Sequence, residues 1–285
     1  MRRSWGILRR KADVGLKYFV LTAVALLCLF PYLWMFGASF RPVQEIFENV
    51  YPLSWRTFLP AHFTLGNYQS LFTEEPFGRY LFNTLFVAGT VTVLDLFVNS
   101  LAAYAFARIS FPGRDVLFVG LLATIIVPFE AIMIPLYLIV RSFGWIDTYL
   151  VLIVPSAARI FSIFLLRQFM LGIPRDLEDA ARIDGCSHWR IYRHVILPLS
   201  APALISLGIL TFQEHWDSFT WPLIATNQQK YRLVQVAIAT FSQQDVVLWD
   251  RILAGSAVAT VLPIVLFLAL QRYYVRGIVT TGLKG

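Results

Sequence analysis

The side chains best placed to do chemistry in this chain are polar, ionisable and aromatic groups set inside apolar runs. The richest group is Gln213-Glu214-His215-Trp216-Asp217-Ser218, with Trp221 close behind. Carboxylates and amides accept hydrogen bonds from hydroxyls, and indole planes stack on apolar ring faces. Glu214 and Asp217 lie three apart, which predicts one helix face for both, and Trp221, four further on, stays near it. Glu130 is flanked by Pro128 and Pro135, which free backbone groups and kink a helix, features that belong beside a cavity or a protein neighbour. Either pathway lining or an interhelical bond to Arg159 accounts for Glu130. A polar group in lipid is costly unless paired, so each of these is a candidate site. Glu130, Glu214, Trp216, Asp217 and Trp221 therefore form the candidate substrate pathway. Contact with a partner subunit, or an outer-interface position for the tryptophans, is the alternative. Asp95 is expected to pack against a helix neighbour or a partner subunit, and His215 to be a hydrogen-bonded structural residue.

Bond-making chemistry is not indicated. The chain has no phosphate-cradling glycine loop with a lysine, no HExxH, no paired-cysteine zinc pattern and no nucleophile elbow. His188 and His194 show no metal spacing. No catalytic residue, metal site or cofactor bound by this chain is therefore expected. Cys28 and Cys186, one in an apolar run and one in a polar segment, read as free thiols. The net charge of +7 does not indicate nucleic acid, because the basic residues cluster at the ends of apolar segments.

These groups must be positioned by membrane helices. The 285 residues are 58% hydrophobic and 14% charged, against roughly 25% charged in a soluble domain, so much of the surface faces lipid. Apolar runs over about 18–40, 80–106, 116–140, 149–170, 203–225 and 252–270 are long enough to span as helices, whereas a barrel would show short alternating segments. Lys and Arg crowd the N-terminus, the gap between runs two and three, the region around the gap between runs four and five, and the C-terminus. With six spans these all fall on one side, which places both termini in the cytoplasm. Residues 1–17 are then a cytoplasmic N-terminus, and 18–285 a single transmembrane domain with an outside loop at 41–79 and a cytoplasmic loop at 171–202. The first run is too long for a signal-peptide core and lacks a small-residue cleavage site, so it reads as an uncleaved span.

The loop from Pro174 to Pro202 is charged and amphipathic between two apolar runs, which points to a protein partner below the membrane. Asp176 is the expected N-cap of a short helix, with Asp179 in its first turn, where acidic groups suit the helix dipole. Leu177, Ala180, Ala181 and Asp184 continue that helix, and Gly185 stops it. A second short helix is expected over Trp189–Val195. Pro198 and Pro202 then turn the chain into run five. Small residues at Ala180, Ala181 and Gly185 let another protein approach closely.

The pattern Asp179-Ala180-Ala181, Gly185 and Val195-Ile196-Leu197-Pro198 resembles the EAA loop of ABC-importer permeases. Aspartate at Asp179 replaces the usual glutamate, which is next door at Glu178, and valine at Val195 replaces isoleucine. Asn83-Thr84-Leu85, Ala103 to Arg108, Phe111-Pro112-Gly113-Arg114, Trp216-Asp217, Trp221-Pro222-Leu223 and the tail from Gln271 to Gly285 resemble the carbohydrate branch of that family, and the tail resembles the second, maltose-type permease subunit. The resemblance implies an all-α polytopic fold with six spans and cytoplasmic coupling helices, in a bacterial inner membrane. It also implies a heterodimer with a sister permease, two ATP-binding subunits carrying ATP and Mg, and an extracytoplasmic sugar-binding protein. Glu178, Asp179, Ala180, Ala181, Asp184 and Gly185 would form the ATPase-coupling surface. Import of glycerol-phosphate or another polar solute, and ion-coupled secondary transport through Glu130, Asp95 or His215, are the alternative functions.

Overall fold

In the computed structural model, which describes residues 2–48, 50–52, 54–243 and 246–282, the regular elements are helices. Helices α1 (Arg2–Ser39), α2 (Gly66–Thr73) and α3 (Phe77–Arg108) are followed by α4 (Arg114–Ala123), α5 (Phe129–Ser142), α6 (Tyr149–Ile153) and α7 (Ile160–Leu171). Short helices α8 (Asp176–Ile183), α9 (His188–Ile191) and α10 (Leu197–Leu199) precede α11 (Ala201–Trp216), α12 (Thr220–Ala225), α13 (Val234–Thr240) and α14 (Trp249–Gly282). Four stretches are long and apolar enough to cross a membrane: Val14–Ser39, Phe77–Arg108, Tyr149–Leu171 and Trp249–Ala269. Two bent helix pairs raise the count to six if each is one span.

Two corrections concern those bent pairs. Run three is not one helix, because Arg114–Ile126 and Phe129–Ser142 meet at 101°. Val127 is extended, at ψ 115°, and Pro128 follows. Proline's ring excludes the helical region for the residue before it, so the helix ends there. Run five begins at the turn expected from Pro198 and Pro202, but it is broken near its far end. His188–Leu199 meets Ala201–Trp216 at 75°, and α11 stops at Trp216 instead of running on to Ala225. Pro222 would clash with the carbonyl of Ser218 in a continuous helix, but it is tolerated in the first turn of the new helix α12. Ahead of α10 the chain widens into a π-turn over Tyr192–Ile196, so the second short helix of the loop is only in part α-helical. Pro198 has no N–H to return to His194, and such wide turns accommodate the missing bond. At the other end of the chain, α1 reaches back to Arg2, ahead of the apolar span that begins at Val14.

Contacts group the chain into two compact units: Met1–Pro76 with Ile238–Val261, and Phe77–Ala237 with Leu262–Gly285. In the first, Ala38, Ile46 and Leu253 form a small apolar core. Buried Arg41 organises the loop after α1. Its guanidinium donates to the carbonyls of Ile46 (3.4 Å), Arg56 (2.6 Å) and Thr57 (2.7 Å). Asn67 on α2 holds the carbonyls of Ser39 and Arg41 from the other side. Arg251 on α14 pairs with Glu74 and Glu75. The span Val14–Ser39 buries none of its most apolar window against its own chain.

The second unit is built around α3, which packs along both α7 and α11. Ala103, Tyr104, Ala107, Leu166, Met170, Ile196 and Leu207 lie in one buried cluster. Val87, Val91, Leu152, Trp221 and Leu233 lie in a second. At the start of α3, Asn83 donates to the carbonyls of Lys230 and Arg232, and the Val234 N–H reaches the Thr84 hydroxyl, so this dipeptide fastens α3 to the stretch before α13. At its middle sits a polar knot. Fully buried Asp95 accepts from Asn99 (2.9 Å), from Ser162 on α7 (2.9 Å) and from Thr211 on α11 (3.2 Å). Asn99 also receives the Arg159 N–H and donates to the Ala157 carbonyl, two backbone groups freed where the fourth span breaks between α6 and α7. Asp95 therefore packs against its helix neighbours, as expected.

Asp95→Ala should leave three buried donors without an acceptor, each costing about 1–3 kcal/mol. Thermal unfolding in detergent should show a clearly lower midpoint for Asp95→Ala than for Asp95→Asn, which retains one acceptor oxygen.

Candidate functional site

Three breaks in helical backbone face one cavity in the second unit. The break before α5 contributes Phe129 and Glu130, the break between α6 and α7 contributes Pro155, Ser156 and Arg159, and the end of α11 contributes Glu214, His215, Ser218 and Phe219. Trp221 and Pro222 on α12 complete the wall, around a volume of about 510 Å³. Irregular backbone at membrane depth is tolerated where it lines such a space.

Arg159 and Glu214 form an ion pair across the cavity, Nη2 to Oε2, at 2.5 Å. Arg159 thus meets Glu214 and not Glu130, whose exposed carboxylate makes no hydrogen bond or ion pair among the described residues. Trp221 is held rigidly, its indole N–H donating to the Val151 carbonyl (2.9 Å) and its ring meeting Phe129 edge-on at 5.9 Å. Of the five pathway candidates, Glu130, Glu214 and Trp221 line the cavity. Trp216 and Asp217 do not. Because α11 ends at Trp216, the single helix face expected for Glu214, Asp217 and Trp221 does not exist. Trp216 is buried and stacks on Phe212, and Asp217 accepts a bond from Gln213 (2.6 Å). The His215 ring joins the cavity wall, and its buried Nε2 has no hydrogen-bond partner among the described residues, contrary to a hydrogen-bonded structural role. Arg159 is the charged cavity residue that the candidate set lacks; its position midway along an apolar run was the available signal.

The second arrangement is α8. Its first turn carries Asp176, Glu178 and Asp179, and Arg175 occupies the N-cap position expected for Asp176. Gly185 follows with φ +76°, a left-handed conformation that costs an L side chain about 1–2 kcal/mol. Asp179, Ala180, Asp184 and Gly185 are exposed. Ala181 is half-buried against the core cluster, so it presents less to a partner than expected. Glu178 is turned inward. It lies 2.9 Å from Arg108 Nε, both side chains being almost fully buried, although the N–H does not point along that line. Arg108 also donates to the carbonyls of Met170 and Ile173 at the end of α7. Glu178 therefore faces its own chain and is not part of the exposed surface of α8.

Residues 99–280 match the family described as binding-protein-dependent transport system inner membrane component. Among curated relatives, the arabinooligosaccharides transport system permease protein AraQ of Halalkalibacterium halodurans is 34% identical, covering 92% of this chain and 93% of its own length. The trehalose/maltose transport system permease protein MalG of Thermococcus litoralis is 33% identical over 92% of this chain and 94% of its own. Among solved structures, a bacterial ABC transporter involved in import of the acidic polysaccharide alginate superposes with a TM-score of 0.79 at 21% identity, covering 91% of this chain and 95% of that one, a likeness of fold. The broken spans, the charged loop with its left-handed glycine, and these matches together place the chain in the family of inner-membrane permease components of binding-protein-dependent ABC transporters.

Proposed function

We propose that this chain is the membrane subunit of a carbohydrate importer, working as a heterodimer with a sister permease, on two ATP-binding subunits that carry ATP and Mg, and fed by an extracytoplasmic solute-binding protein. The convergence of three helix breaks on a cavity lined by carboxylates and a tryptophan carries this reading. The relatives named for arabinooligosaccharide and for trehalose and maltose transport support a sugar as the solute. So does the cavity's charge: among the described residues Glu130 has no partner, Glu214 is paired, and the wall's one arginine is the one that Glu214 neutralises. That balance suits hydroxyl donors and disfavours a phosphate. The chain itself is read as non-catalytic. In this reading α8 and both termini lie in the cytoplasm, and the exposed face of Asp179, Ala180, Asp184 and Gly185 meets the ATP-binding subunit. Closure of the nucleotide-bound ATPase pair would move α8, and through it the spans around the cavity.

Ala180→Trp adds bulk to an exposed surface without touching the core. It should reduce co-purification of the ATP-binding subunit while leaving the thermal midpoint of the permease unchanged. Gly185→Val should weaken assembly in the same assay through strain at its positive φ.

Glu130→Gln removes a charged acceptor worth about 1.5–3 kcal/mol to a hydroxyl donor, so sugar uptake should fall roughly ten- to hundredfold with ATPase assembly intact. Uptake of radiolabelled arabino- and malto-oligosaccharides into proteoliposomes measures this, and unchanged uptake of every sugar taken up by the parent complex would remove Glu130 from the pathway.

A further inference from the structure

Arg108 occupies a position that the coupling surface alone does not explain. It is the last residue of α3, and its side chain is almost completely buried. One guanidinium reaches three elements: α3, from which it projects; the end of α7, through the carbonyls of Met170 and Ile173; and the first turn of α8, through Glu178. We infer that Arg108 is a positioning residue that locks α3, α7 and α8 into one rigid body, so that a push on α8 is delivered to the spans and is not absorbed as a tilt of α8. The inference rests on the proposed coupling role of α8.

The surrounding charges make the idea specific. The ion pair lies in a cavity of about 290 Å³ that is also lined by Arg114, Arg175, Arg182 and Asp179. Arg114 is engaged by Asp115, and Arg182 pairs with Asp179 at 3.4 Å. Arg182 also stands 4.0 Å from Glu178, one helical turn further along the same helix. Were Arg108 absent, Arg182 would neutralise Glu178 locally. That substitute keeps α8 folded, but it ties α8 only to itself. Burying a carboxylate under the membrane surface is costly unless its partner is well placed. Satisfying Glu178 from α3 instead of from the neighbouring turn has a mechanical result that a local pair lacks.

The test is a distance measurement on the assembled complex in nanodiscs. In a background of Cys28→Ser and Cys186→Ala, spin labels are attached at Ile183→Cys on α8 and Val98→Cys on α3, both exposed positions. The parent should give one narrow distance distribution, unchanged when ATP is added. Arg108→Gln should still co-purify with the ATP-binding subunit, yet show a distribution that broadens or splits on ATP addition. Arg108→Lys, able to meet Glu178 but not to span both carbonyls as well, should fall between the two. Arg182→Gln should match the parent. Should Arg108→Gln fail to assemble, Glu178→Gln takes its place with the same expectation. A distribution that stays narrow in the Arg108 and Glu178 variants, or that broadens equally in Arg182→Gln, overturns the inference. Failure of the parent to co-purify with any ATP-binding subunit would instead overturn the coupling role of α8.

Discussion

The requirement that every backbone polar group have a partner, in a medium with no water to supply one, governs the second unit of this protein. A transport path needs irregular backbone, and irregular backbone leaves groups unpaired. The Asp95–Asn99 pair on α3 resolves the conflict. Asn99 takes the N–H of Arg159 and reaches the carbonyl of Ala157 where the fourth span breaks, and Asp95 gathers Asn99, Ser162 and Thr211. The same residues that repair the break therefore join α3, α7 and α11. The break can then present Arg159 to the cavity without loosening the helices behind it.

Below this knot, α3 ends in Arg108, and the two features divide the labour along one helix. The knot fixes how three helices face one another, and the guanidinium fixes how the ends of α3 and α7 meet α8. Both rest on groups with several partners at once. A multiply bonded buried group has a single low-energy arrangement, whereas an exposed pair such as Arg182 with Asp179 contributes little. Rigidity is thus concentrated between α8 and the cavity. The breaks themselves at Val127–Pro128 and Asp217–Phe219 are left as the places where the backbone can turn.

Much of this was legible in the sequence, for physical reasons that differ by element. The long apolar runs are local facts, and α3 and the spans within α1 and α14 fall close to where composition puts them. Gly185 was legible because few other residues accept φ +76°. Pro128 signalled a disturbance but not its size, since whether a proline kinks a helix or ends it depends on what receives the freed groups. The end of α11 was missed because Glu214, His215 and Trp216 give no stop signal, and the cause, Pro222, acts on a residue four positions upstream. The inward turn of Glu178 could not be read at all. It depends on Arg108, seventy residues earlier, whereas the nearer Arg182 offered an equally plausible partner on helical spacing alone.

Arg41 holds its loop through neutral acceptors only, the carbonyls of Ile46, Arg56 and Thr57. An amide carbonyl gains no proton as the medium acidifies, and a contact sealed from solvent is little affected by dissolved ions. The hydrogen bonds of this anchor therefore do not themselves titrate, although the nearby Glu45 carboxylate favours the charged guanidinium. The Arg251 clasp on Glu74 and Glu75 has no such immunity, because half of each contact is a titratable acid. Within one unit, then, the chain carries one fastening whose own contacts include titratable acids and one whose hydrogen bonds do not.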